Sequence, residues 1–100
     1  MEINISYRHL DSSPAVDAKI REKLEHLKKY FHGKMNVNWV CSVDGHQQHK
    51  SEVNINVGQN NFHANAVDKN LYNTLDMALN KIESRARKKN ENVKDNIHRH

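Results

Sequence analysis

Apolar residues recur with period two in four stretches of this chain and with helical period in two, and almost every stretch has only one apolar side. Such a chain has strands that each need cover on one face and two amphipathic helices able to supply it. At residues 2–8, Ile3, Ile5 and Tyr7 alternate with Glu2, Asn4, Ser6 and Arg8. At 35–43, Met35, Val37, Trp39, Cys41 and Val43 alternate with polar residues, Val40 being the exception. At 50–57, Val53, Ile55 and Val57 point one way, and Phe62, Ala64 and Ala66 repeat the pattern in a fourth strand. Gly58-Gln59-Asn60-Asn61 between the last two reads as a tight hairpin turn.

The first helix opens at Ser13-Pro14, a capping residue followed by the residue best tolerated at the first helical position. Val16, Ile20, Leu24, Leu27 and Phe31 then form one stripe, and Gly33 is a suitable terminator. The second helix is predicted from Asp68, its candidate cap, to about Asn90, with Leu71, Leu75, Ala78, Leu79, Ile82 and Ala86 as the buried stripe. The order β-α-β-β-β-α predicts an α+β two-layer sandwich, a four-stranded sheet with both helices on one face. The segment through helix 1 is long enough for a right-handed parallel crossover, while the later strands pair as antiparallel neighbours. Residues 1–90 are expected to form the domain, and 91–100 a short flexible tail. The sheet face left open is rich in amides: Asn4, Asn36, Asn38, Asn54, Asn56, Asn61 and Asn65.

Charge is the second organising feature. Within 81–89, Lys81, Arg85, Arg87, Lys88 and Lys89 face the single acid Glu83, a local +4 that equals the net charge of the whole chain. One or two cations would satisfy a helix C-terminal dipole; five in nine residues suggest an electrostatic footprint for a phosphate backbone. Lys81, Arg85 and Lys88 are spaced i, i+4, i+7 and share one helical face. Helix 1 adds Lys23 and Lys29 among interleaved acids, a pattern that equally suits a solvated face.

Other chemistries find little support. The single cysteine, Cys41, excludes an internal disulfide, fits a reducing compartment and has no flanking basic cluster. With 3 glycines there is no phosphate-cradling loop. The histidine pairs His46/His49 and His98/His100 have no third ligand of fixed geometry, so neither a metal nor a cofactor is expected. Carboxylate pairs such as Glu22 and Glu25 look solvated rather than catalytic. Trp39, Tyr7 and Phe62 read as core, Tyr30 and Tyr72 as borders of the helical stripes, and Met77 as exposed. The polar, alternating N-terminus is no signal peptide and no apolar run reaches transmembrane length, so a cytoplasmic protein without a membrane partner is expected.

Several motifs, in order and without a gap, resemble the ribosome hibernation factor family. They are the opening strand with Ile3 and Ile5, Ser13-Pro14-Ala15 opening a helix that carries Lys23, Leu24, Leu27 and Lys29, and the strand around Asn36 and Val37. They continue with FHANA at 62–66, DKNLYNTLD at 68–76, NKIE at 80–83 and the basic run. The resemblance implies a fold similar to double-stranded RNA-binding domains and no catalysis. It also implies binding to the small ribosomal subunit, both rRNA and ribosomal proteins, at the mRNA/tRNA decoding channel, stopping translation in stationary or stressed cells. Lys23, Lys29, Lys81 and Lys88 match basic positions of the family; Arg85, Arg87 and Lys89 complete the candidate rRNA-binding set. Ser84 departs from the family, which carries Arg there. The short, neutral tail and the absence of an added dimerisation domain resemble the promoting short form, monomeric when free and helped by a separate ribosome modulation partner to pair ribosomes. A general double-stranded RNA binder and a small enzyme on an α+β sandwich are the alternatives.

Overall fold

The computed structural model describes the backbone of residues 1–98 and the side chains of residues 1–89. The elements are β1 (Glu2–Arg8), α1 (Pro14–Leu27), a 3-10 turn (Lys28–Tyr30), β2 (Met35–Val43), β3 (His49–Val57), β4 (Asn60–Asp68) and α2 (Leu71–His98). The four strands form one sheet in the order β1-β2-β3-β4. β1 runs parallel to β2, and β2, β3 and β4 are successively antiparallel. The α+β architecture expected from periodicity is the one observed.

Register places the apolar strand positions on one face, apart from Val40 and Val67, which lie on the other opposite Glu52 and Lys50. Ile5 lies opposite Trp39, Trp39 opposite Val53, and Val53 opposite Ala64. This face and the stripes of both helices make one core, with Ile20, Leu24, Val37, Trp39, Val53, Ile55, Leu75 and Ile82 fully buried. The opposite face carries the amides, some bonded across strands: Asn4 Nδ2 donates to Asn38 Oδ1 at 3.4 Å, and Asn61 Nδ2 to Asn54 Oδ1 at 2.8 Å. Among the described residues, no helix is long and apolar enough to cross a membrane.

Local chemistry accounts for the boundaries. The Ser13 hydroxyl accepts from the Val16 N–H at 3.3 Å, and Pro14 follows inside the helix. The helix stops at Leu27, not beside Gly33. The chain tightens into the 3-10 turn and then extends at Phe31, whose ring tilts against Phe62 at 5.1 Å between centroids. Gly33, at φ 109, then turns the chain toward β2. Register makes Gly58-Gln59 a two-residue hairpin loop, with Gly58 at the positive φ such turns require. The cap of α2 is Asn70, not Asp68: Asn70 Oδ1 accepts from the Tyr72 N–H at 2.9 Å. Asp68 stands one step behind, accepting from the Asn70 N–H at 2.9 Å and the Asn73 amide at 3.0 Å, bonds that hold its carboxyl below the usual carboxylate range.

The second helix also runs past its expected end near Asn90, reaching His98. The expected flexible tail at 91–100 therefore begins within a helix, and its side chains, with residues 99 and 100 entirely, lie outside the described residues. A helix of 28 residues is about 42 Å long, longer than nine-residue strands of about 31 Å.

Two hydroxyls are buried in this core. Ser51 Oγ and Thr74 Oγ1 lie 2.8 Å apart where α2 crosses β3, and Thr74 donates onward to the Leu71 carbonyl at 2.6 Å. Thr74→Val should strand the Ser51 hydroxyl and destabilise the fold by about 1–3 kcal/mol, whereas adding Ser51→Ala should recover most of the loss. Denaturant unfolding of the double-mutant cycle measures this. Burial also pushes the Cys41 thiol up to about 11, with the neighbouring Ser51 hydroxyl partly opposing the shift. At pH 8 Cys41 is accordingly protonated and enclosed, so labelling by a thiol reagent should be slow and should accelerate with denaturant in step with global unfolding.

Candidate nucleic-acid interface

The rotation of α2 follows from its buried stripe. Leu75, Ala78, Leu79, Ile82 and Ala86 face the sheet, all less than a tenth exposed. Cations adjoining that stripe therefore emerge along its two flanks. On the flank over β4, Lys81 Nζ donates to the Asn65 carbonyl at 2.7 Å. Lys89 bonds the Asn60 side chain and lies 5.9 Å from the Phe62 ring centre. Arg85 joins Lys81 along a shallow concavity of about 400 Å³ whose remaining lining is the run Asn61–Asn65 of β4.

On the flank facing α1 the cations are tied to acids and to one aromatic ring. Lys23 pairs with Asp76 across the helix–helix seam. Tyr30 donates its hydroxyl to Glu83 Oε1 at 2.7 Å, and Arg87 approaches the same carboxylate at 3.4 Å. The Tyr30 ring also has Lys29 at 5.2 Å and the Arg87 guanidinium at 5.8 Å from its centre. Lys88 is exposed, and among the described residues neither it nor Arg85 has a carboxylate partner.

The candidate set is thus brought together along the two flanks of α2, in two rows rather than one. Lys81, Arg85 and Lys89 follow β4; Lys23, Lys29 and Arg87 follow the α1 seam; Lys88 stands exposed on α2. Ser84 shares a shallow recess with Asn80, Lys81 and Arg85. Charge missing at Ser84 is flanked by Arg85 on the β4 row and Arg87 on the α1 row.

The run Lys81–Lys89 also lies in the middle of α2, nine residues or more before His98. A macrodipole acts on the last turn only, so it does not account for these cations. The ion pairs with Asp76 and Glu83 are solvent-accessible and contribute about 0–1 kcal/mol each, so phosphate oxygens can displace them at small cost.

Sequence reasoning missed the holders: Tyr30, Asp76 and Glu83 on one side, Asn60 and Asn65 on the other. Lys23 and Asp76 are 53 residues apart, as are Tyr30 and Glu83, so no local spacing signals these contacts. A wider concavity of about 730 Å³ lies on the open sheet face between Arg8, Ser42, Lys50, Glu52 and Val67. There Lys50 and Glu52 neutralise each other at 2.7 Å, and the lysine holds the glutamate carboxyl below its ordinary range. Among the described residues no group of three or more His, Cys, Asp or Glu is placed to hold a metal ion.

No curated protein matches this chain by sequence. Solved structures share its fold, two of which are as follows. The N-terminal domain of Protein Y from Thermus thermophilus is similar with a TM-score of 0.81 and 22% identity, covering 88% of this chain and 98% of that one. A ribosomal subunit interface protein from Coxiella burnetii is similar with a TM-score of 0.79 and 19% identity, covering 91% and 99%. Residues 3–94 match the family model described as sigma 54 modulation protein / S30EA ribosomal protein. With that match over nearly its whole length, the chain belongs to this family, the ribosome hibernation family that its motifs resemble.

Proposed function

We propose that this protein is a ribosome hibernation factor. It binds the small ribosomal subunit in the mRNA/tRNA decoding channel, inhibits translation there and promotes inactive, paired ribosomes under stress or in stationary phase. A separate modulation partner would assist the pairing. The family is ribosome-associated; the subunit, the channel and the pairing are the further step. The observation that carries the reading is the basic run in mid-α2, flanked by Lys23 and Lys29, in a place where helix electrostatics give no reason for it. Its chemistry suits rRNA phosphates: lysines supply point charges, and Arg85 and Arg87 supply planar donor forks. The protein would act in the cytoplasm by occupancy, not by catalysis.

Sedimentation with purified bacterial ribosomes tests this. The protein should travel with the small subunit and whole ribosomes at low salt, and a heavier paired-ribosome peak should grow. Protein left at the top of the gradient sinks the reading. An excess of unrelated RNA duplex that removes the protein from subunits would favour a general duplex binder instead. Charge reversal at Lys81 and Lys88 together should weaken subunit binding and flatten its log–log salt dependence by about 2, roughly one per lost phosphate contact. Unchanged affinity and slope would exclude the basic helix as the contact surface.

A further inference from the structure

β4 is an edge strand, and its unused backbone groups lie beside the basic row of α2. Val57 pairs with Asn60 across the two-residue loop, so ladder bonds to β3 are made by Asn60, Phe62, Ala64 and Ala66. The N–H and C=O groups of Asn61, His63 and Asn65 point away from the sheet. The Lys81 bond to the Asn65 carbonyl agrees with this phase. Along the strand these outward N–H groups recur about every 6.8 Å, while Lys81 and Arg85 are separated by about 6 Å of helical rise. The two series bracket one concavity, whose lining contains no carboxylate.

We propose that this edge is a seat for a single RNA strand, whose phosphodiester oxygens accept from the outward N–H groups of β4 while Lys81 and Arg85 neutralise them. The inference rests on the RNA-binding reading above and names a contact the basic side chains alone do not predict. Two features select the occupant. Another β-strand added to this edge would need its carbonyls as well as its N–H groups, and Lys81 already occupies the Asn65 carbonyl. A phosphodiester backbone only accepts at its anionic oxygens, so it uses the N–H groups and leaves the lysine contact standing. The α1 side of α2 lacks this balance, since Asp76 and Glu83 stand among its cations.

The test is amide hydrogen exchange and chemical-shift mapping by NMR on the isotope-labelled full chain. The probes are a short single-stranded RNA, the same sequence with a neutral methylphosphonate backbone, and an acidic peptide. The RNA should shift and protect the amides of Asn61, His63 and Asn65 and leave those of Phe62 and Ala64, already in the ladder, nearly unmoved. The neutral backbone should do neither. His63→Pro removes an outward N–H without removing a ladder bond and should weaken RNA binding on the order of tenfold, the loss of one hydrogen bond to a charged group. His63→Ala keeps the N–H and measures the side chain's share, so the further loss in His63→Pro relative to His63→Ala reads the N–H itself. Should the proline variant not fold, exchange in the parent chain still decides. RNA-induced shifts confined to Lys23, Lys29 and Arg87, with β4 unmoved, would overturn this seat and leave the RNA-binding reading intact. No RNA shifts anywhere would overturn the seat as well, and sedimentation with ribosomes would then decide the RNA-binding reading separately. Protection of β4 by the acidic peptide but not by RNA would overturn the seat in favour of strand addition.

Discussion

The close seating of α2 on β3 and β4 is the constraint on which the rest depends. Small residues stand on both sides of that contact, Ala64 and Ala66 on the strand and Ala78 and Ala86 on the helix, all buried. At these small positions the two backbones can approach more closely, and the long side chains bordering the helical stripe reach past it. That is how Lys81 meets the Asn65 carbonyl and Lys89 meets Asn60. Leucines at these positions would lift the helix away and leave the same cations scattered in solvent.

The seating also explains why one helix can serve two flanks. A stripe of five buried residues fixes α2 against rotation, and each side of it presents a different neighbour. On one side is an edge strand with spare donors; on the other is the turn after α1, with Tyr30 between Glu83, Arg87 and Lys29. The cations toward α1 are held in place by weak, exposed pairs. Such weak pairs can yield to a polyanion at small cost.

The open sheet face gives a useful contrast. Its asparagines bond partly to one another, and the concavity on it holds a compensated Lys50–Glu52 pair. A neutral face of this kind is soluble without being sticky. Among the described residues, the basic run of the chain lies on the helical side.

Periodicity alone determined the strands, their inward residues and the two helical stripes, because one buried face per element forces period two or 3.6 on the sequence. The basic run and the family motifs were also legible, being local in the chain. Less legible were boundaries set by competition between a local signal and a distant partner. Phe31 fits the stripe of α1 but leaves the helix to pack on Phe62, and Asp68 looks like a cap but stands behind Asn70. Tertiary structure alone decided that one predicted basic surface becomes two rows, that Asp76 and Glu83 hold part of it, and that an edge strand lies beside the other part. Those facts depend on which element lies next to α2, and residues more than fifty apart carry no spacing signal for it.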